Sequence, residues 1–483
     1  MNGRIEQAVV LAAGMGTRIR GEAQLLPKPL VRVGGLPLIK RTLLTARKAG
    51  VTRFVVVVGC DGDRVRGTVV DDPDLADLDV TFVVNEDYRL KNGVSVLKAR
   101  EHVRGEFLLM MSDHVVDPAI YETLQGTPAR DGLVLAVDRK LDTIFDMDDA
   151  TKVLVGERDR ILDIGKEIPE YDAIDTGVFR CSPALFEALQ VVLDETGDAS
   201  LSDGVKLLAT KGRARVADVG AAWWQDVDDL PTREHAETLL FRSLTKQIDG
   251  PVSRHVNRRF SKVITRWVMN TEIVPNHMTA VGLIIGLASA VLTAMTTADS
   301  LWMLPLGGVL YQISSMIDGC DGEIARLKFK HSDWGEWFDT VSDDVINLGY
   351  QLALGVAIAR LTGVTAWLHV GIATFVLGWV VCLSLYRKLL QTGKGTHLAI
   401  EWSYLDAGAQ TSWFQRFCAK LEFVARRDFY ALLLMFVSFM GVGPLKVVLV
   451  CSFVTVAIVA VQYFSTAVRT AAEGRRATQT QRG

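Results

Sequence analysis

Between Asp318 and Asp343 the chain sets carboxylates at two helical spacings, Asp318 with Asp321 three residues on, and Asp339 with Asp343 four residues on. Residues so spaced share a helix face, so two helices carrying these pairs can bring four acids together. Hard oxygen donors with no His or Cys among them select Mg2+, Mn2+ or Ca2+. Apolar runs lie on both sides, where an acid costs roughly 2.5–3.5 kcal/mol at mid-bilayer unless a cation or water faces it. A solvated Asp-rich loop would have neither the spacing nor the flanks. Gly322 lets a ligand approach closely, and Arg326 offers a planar fork to phosphate. Such parts suit divalent-ion chemistry at a phosphate ester.

A second set of residues lies near the start. The buried-strand run Val9-Val10-Leu11 leads into Ala12-Ala13-Gly14-Met15-Gly16-Thr17-Arg18. Glycines after a strand let backbone N–H groups reach phosphate oxygens, and Arg18 adds charge. Leu26-Pro27-Lys28-Pro29-Leu30 then holds another cation in a stiff turn. The spacing matches neither a P-loop nor the full dinucleotide fingerprint. Further on, the apolar run Phe107 to Met111 ends in Ser112-Asp113-His114. A carboxylate just past the carboxyl end of a parallel strand lies where open α/β sheets bind ligands. Alone, Asp113 would read as a strand-end cap. Trp223-Trp224-Gln225-Asp226-Val227-Asp228-Asp229 supplies the companions, and acids from two such places can hold Mg2+ between triphosphate oxygens.

The elements that must position these groups differ along the chain. Its 483 residues call for two or more domains, and 49% hydrophobic content with a net charge of -3 excludes a disordered chain and a general polyanion binder. No nucleic-acid partner is therefore expected. Before about Pro251 apolar residues come in short runs; after Met278 they come in runs that can cross a bilayer. Six spans are expected: Met278 to Thr297, Leu301 to Ile317, Val341 to Leu361, Thr365 to Tyr386, Phe429 to Val442 with a few residues more, and Leu445 to Val468. Lys and Arg concentrate before the first span, after the second and fourth, and in the tail, so both termini are expected in the cytoplasm. Pro251 to Asn270 alternates basic and apolar residues at near-helical spacing and reads as an amphipathic helix in the headgroup layer. The six cysteines are scattered without a zinc or disulfide pattern, and no signal peptide is read.

Over about the first 230 residues, the Leu11 to Arg18 loop with Pro27-Lys28-Pro29-Leu30 resembles the signature of sugar-phosphate nucleotidyltransferases. Asn85-Glu86-Asp87-Tyr88 followed by Asn92-Gly93-Val94-Ser95 is similar to the branch that uses CTP and polyol or choline phosphates. The resemblance implies that Arg18 and Lys28 contact the triphosphate beside the backbone of Gly14, Gly16 and Thr17. It also implies that Asp113 with Asp226 or Asp228 binds metal, and that Gly93 and Ser95 lie near the base. Lys166 and Asp175-Thr176-Gly177 would line the acceptor phosphate and polyol pocket. Two departures are Ser112 in place of a usual glycine, and the Asp226/Asp228 pair, which leaves the second ligand open.

The later segment matches without a gap the D-x2-D-G-x2-A-R-x8-G-x3-D-x3-D signature of CDP-alcohol phosphotransferases, which it closely resembles. That family implies a divalent metal pair on Asp318, Asp321, Asp339 and Asp343, with Asp343 also the base. Gly322, Arg326 and Gly335 would hold the CDP part, and Pro275-Asn276 with Thr279 resembles its approach to the nucleotide. The basic cluster Arg387-Lys388 and Arg426-Arg427 reads equally as a receiver for the acceptor's phosphate and as positive-inside bias.

The implied architecture is an α/β nucleotidyltransferase domain with a Rossmann-like mixed sheet (1–248), an interfacial linker helix (249–272), an all-α six-helix transmembrane domain (273–470) and a polar tail (471–483). The full arrangement resembles a family of bifunctional inositol phosphate cytidylyltransferases fused to a phosphotransferase. It implies CTP, inositol 1-phosphate and CDP-inositol as partners, Mg2+ or Mn2+ in both domains, a homodimer through the membrane domain, and a multi-pass place in the cell membrane. A tether would keep the CDP intermediate at high effective concentration. Two alternatives stay open: a CDP-polyol-dependent lipid head-group synthase, and a membrane-anchored nucleotide-binding regulator whose first domain is inactive.

Overall fold

The computed structural model describes residues 4–16, 26–245, 250–392, 395 and 426–480, the side chains of 392 and 465–480 excepted. It divides into two compact units, Met1–Ser243 and Leu244–Gly483.

In the first unit, short runs rich in Val, Leu and Ile pair as strands, buried at the centre of the sheet and partly exposed toward its edges. These are β1 (Gln7–Ala12), β2 (Arg53–Val58), β3 (Asp79–Val84), β4 (Phe107–Met111), β5 (Leu133–Asp138), β6 (Lys152–Val155), β7 (Ile161–Gly165), β8 (Ala173–Cys181) and β9 (Ala214–Asp218). They form one nine-stranded sheet in the order β7-β6-β8-β4-β1-β2-β3, with β5 on β8 and β9 on β5. β1 runs parallel to both neighbours, Val9 facing Val55 on one side and Leu109 on the other. β8 closes antiparallel on β4, Phe179 facing Leu109, so the sheet is mixed. Because the chain winds from β1 to β3 on one side and places β4 on the other, the crevice at the carboxyl ends of β1 and β4 is the switch point where such sheets bind ligands. The glycine loop leaves β1 there, and Asp113 follows β4.

The second unit is helical. Its helices are α1 (Arg258–Val268), α2 (Pro275–Met295), α3 (Met303–Lys328), α4 (Asp333–Thr362), α5 (Ala366–Thr392), α6 (Arg427–Phe439) and α7 (Val442–Thr480). Among the described residues, four are long and apolar enough to cross a membrane: α2, α4, α5 and α7. The other two of the six expected spans, α3 and α6, do not meet that measure. α3 has the length, but it carries the signature charges Asp318, Asp321, Glu323, Arg326 and Lys328 through its last turns. α6 has 13 residues, about 20 Å of helix, and stops at Phe439 rather than Val442. Its core stacks Tyr311 on Tyr350, ring centroids 4.2 Å apart, and is filled from α2, α4, α6 and α7 by Ala290, Leu354, Leu434 and Leu449.

Candidate functional site

In the first unit, Lys28 is held by its own turn. Pro27 caps a single 3-10 turn, Lys28–Leu30, and Leu30 N–H donates to the Pro27 carbonyl at 2.8 Å. Gly16 adopts φ +57, and a Cβ there would lie 2.6 Å from Lys28 Cβ, so only glycine lets the loop close on this lysine. The Lys28 ammonium sits between Asp113, at 2.6 Å, and Asp228. Burial opposes the charge of each partner, yet the flanking carboxylates raise the Lys28 ammonium above its ordinary value and Lys28 holds Asp113 far below its own.

Asp226 and Asp228 reach this crevice through a two-stranded ribbon in which Trp224–Asp226 pairs antiparallel with His114–Val116, Asp226 opposite His114. Val227 N–H donates to the Asp113 carbonyl at 3.0 Å. His114 Nδ1 lies 2.8 Å from Asp113 Oδ1; burial works against its charge, but that bond and the acids around it raise its pKa. Burial, then the like charges of Asp228 and Asp113, raise Asp226. The register of β8 on β5 slips between Asp175 and Phe179, and Gly177, at φ +75, presses its bare Cα against the His114 ring. Asp175 accepts the Gly177 N–H at 2.7 Å, and burial pushes its carboxyl up to about 6.

Asp149, Asp226 and Asp228 each offer a carboxylate oxygen within 4.8 Å of the others. Asp149 was not expected from the sequence; it lies in the turn Asp146-Met147-Asp148-Asp149, which has no spacing to single it out. Lys166 joins the group by pairing with Asp149. Asp113 is instead tied to Lys28 and His114. Ser95 accepts from Asn85 Nδ2 at 2.9 Å, and a Cβ on Gly93 would meet the Ala199 carbonyl at 2.6 Å. Gly14 has open space around its Cα, whereas Thr17 and Arg18 lie outside the described residues. A cavity of about 140 Å3 opens beside Asp226, lined among others by Asp138, Phe145, Trp223, Trp224 and His235.

In the second unit, Asp318 on α3 and Asp339 and Asp343 on α4 bring carboxylate oxygens within 4.8 Å of one another. Asp321 is fixed beside them: Thr279 on α2 donates to it at 2.8 Å, and it lies within hydrogen-bonding reach of Asp339. Among the described residues, one cation pairs with the group, Arg427 at the start of α6, which donates to Asp318 at 2.8 Å, to Asp343, and to Ser314 Oγ at 3.3 Å. Four carboxylates against one guanidinium leave negative charge, and oxygen-only donors fit a hard divalent ion. A Cβ on Gly335 would meet Asn276 Oδ1 at 3.0 Å, so those two expected residues adjoin. A Cβ on Gly322 would lie 3.2 Å from the Arg326 guanidinium, whose Nη2 donates to the Leu244 carbonyl at 3.0 Å.

Residues 8–161 match the family of MobA-like NTP transferase domains, and residues 272–461 match the CDP-alcohol phosphatidyltransferases. The chain is an enzyme of two classes, a nucleotidyltransferase followed by a CDP-alcohol phosphotransferase. A protein of Aquifex aeolicus described as a bifunctional IPC transferase and DIPP synthase is 33% identical over 353 residues, which are 73% of this chain and 77% of that protein. One so described from Rubrobacter xylanophilus is 36% identical over 368 residues, 74% of this chain and 80% of that protein. The solved inositol-1-phosphate CTP transferase of T. maritima shares 29% identity and covers 50% of this chain and 98% of its own, at a TM-score of 0.45. The chain belongs to the family of bifunctional IPC transferases and DIPP synthases.

Proposed function

We propose that the first unit converts CTP and inositol 1-phosphate to CDP-inositol and pyrophosphate. The second then transfers the phosphoinositol unit to a second inositol 1-phosphate, releasing CMP and leaving a phosphorylated di-inositol phosphodiester. Family membership supports the pair of reactions. The observation that carries the second is the meeting of Asp318, Asp339 and Asp343 within 4.8 Å, with Asp321 alongside.

In the first step, two anions must be brought together, so positioning and charge neutralisation supply most of the catalysis. Lys28 exchanges a carboxylate partner for a triphosphate oxygen, with Arg18 as the second cation and the backbone at Gly14, Gly16 and Thr17 against the phosphates. Gly93 and Ser95 lie toward the base, and Lys166 receives the polyol phosphate. In the second step, Asn276, Gly322, Arg326 and Gly335 hold the CDP part, and Asp343 takes the proton of the acceptor hydroxyl. Mg2+ or Mn2+, on Asp113, Asp226 and Asp228 in one unit and on Asp318, Asp321, Asp339 and Asp343 in the other, would neutralise phosphate charge and stabilise the leaving group.

The membrane in this reading is the cell membrane. α3 and α6 complete six crossings, both termini face the cytoplasm, and the membrane unit pairs as a homodimer. The domain limits are 1–248, 249–272 and 273–470, with a tail at 471–483. The deciding experiment supplies detergent-purified protein with CTP and labelled inositol 1-phosphate. A water-soluble labelled phosphodiester is the expected product; label confined to the lipid extract when membrane lipid is supplied would overturn the reading.

A further inference from the structure

Glu323 lies inside the acid signature, two residues after Asp321, and is fully buried. A buried carboxylate needs donors, and here all three described donors come from α1. Ser261 Oγ donates at 2.6 Å, Thr265 Oγ1 at 2.7 Å and Arg258 Nη1 at 3.2 Å. Arg258 also donates to the Gly319 carbonyl at 3.0 Å, and a Cβ on Gly319 would lie 2.8 Å from its Nη1. One turn further back, Asn257 donates to Ser315 Oγ at 3.2 Å and accepts from Gln312 at 2.8 Å.

These contacts form one stripe on each helix. On α3, Gln312, Ser315, Gly319 and Glu323 fall at helical spacing on a single face; on α1 and the turn before it, Asn257, Ser261 and Thr265 do the same. Ser261 and Thr265 are fully buried; Phe260, Val263 and Trp267 turn away, Trp267 being 79% exposed, while Ile264 and Val268 pack beside the polar contacts against the cluster of Met278, Ile317, Cys320 and Ile324. Amphipathic α1 therefore presents its small polar residues to α3, with Ile264 and Val268 flanking them. The seam lies on a different face of α3 from Asp318 and Asp321, which point toward α2 and α4.

We propose that this seam, centred on Glu323, is a positioning device that fixes the rotation of α3 and so aims Asp318 and Asp321 at Asp339 and Asp343. A helix turns through 3.6 residues per turn, so a small rotation of α3 swings its acids out of the group. A polar seam resists rotation better than an apolar one, because each misaligned pair strands a buried donor or acceptor. The inference rests on the reading of the acids as an ion site in a phosphotransferase.

The test uses the full-length chain in detergent, with Mn2+ as the probe. Its affinity is read by electron paramagnetic resonance, and transfer is read as CMP release from CDP-inositol. Glu323→Ala should weaken Mn2+ binding about tenfold and raise the Mn2+ needed for half-maximal transfer by a similar factor, while cytidylyl transfer by the first unit stays at the wild-type level. Glu323→Gln, whose amide oxygen can still accept from Ser261 while its NH2 donates to the Thr265 hydroxyl, should recover to within about threefold of wild type. A folded Glu323→Ala protein with wild-type Mn2+ affinity would overturn the proposal, because glue alone changes thermal stability and not ion binding. If Glu323→Ala does not fold, Ser261→Ala and Thr265→Val, which keep the Arg258 pair, should each weaken Mn2+ binding severalfold; wild-type affinity in both would again overturn it. A wild-type chain that binds Mn2+ but releases no CMP refutes the transferase reading instead, and the affinities still decide the positioning role.

Discussion

Replacing Arg427 by Met should tighten binding of a divalent ion. In the structure its guanidinium, 12% exposed, already occupies oxygens of Asp318 and Asp343 that an ion would need. A hydrogen bond between charged groups is worth about 1.5–3 kcal/mol net, and two of them must be given up. Both acids keep about a third of their side chain exposed, 33% and 29%, so solvent screening discounts the sum to roughly one such bond. At about 1.4 kcal/mol per decade, Arg427→Met is expected to bind Mn2+ roughly 10- to 100-fold more tightly than the wild type. The assay is a Mn2+ titration of the detergent-solubilised full chain by electron paramagnetic resonance, with Asp318→Asn as a variant that must lose affinity. Unchanged or weaker binding in Arg427→Met would refute the argument that the guanidinium and the ion compete for the same oxygens.

Lys28→Ala removes the only described cation that faces both Asp113 and Asp228. Pyrophosphate release from CTP and inositol 1-phosphate should fall by about 10²–10³, the usual loss when a preorganised charge-stabilising donor is removed, while CMP release from supplied CDP-inositol is unchanged. A wild-type rate of pyrophosphate release would remove Lys28 from the site. Asp175 gives a pH dependence of definite sign. Its carboxyl, raised to about 6 by burial, keeps a proton that the unfolded chain has lost, so its contribution is complete below about pH 4 and is lost as pH rises through 6. Asp175→Asn should therefore be more stable than wild type at pH 7.5, by about 2–3 kcal/mol, and nearly equal to it at pH 4. Thermal unfolding at the two pH values checks this; an equal difference at both would contradict it.

The acids of the second unit were legible because their spacing carries geometry: i, i+3 and i, i+4 on helices flanked by apolar runs leave few other arrangements. Lys28 was legible for a similar reason, since two prolines stiffen its turn. Asp149 was not, because it reaches Asp226 only through the pairing of a mixed sheet, and a turn holding three acids gives no sign of which one turns inward. Glu323 was overlooked among the open positions of a motif that drew attention to its neighbours. The helix expected over Pro251 to Asn270 appears in part as α1, but the pattern of basic and apolar residues concealed the polar part of its contact face, which consists of Ser, Thr and Asn beside Ile264 and Val268. Two of the six expected spans are less plain than the others because length and polarity conflict there: α3 spends its final turns on charge, and α6 has 13 residues.

Each nest of acids in this chain comes with an organic cation already seated in it, Lys28 in one unit and Arg427 in the other. Each cation would offset part of the mutual repulsion of its acids when no ion is bound. Depletion by a chelator would then leave a reversible resting form, idle but ready to be recharged, rather than a denatured one.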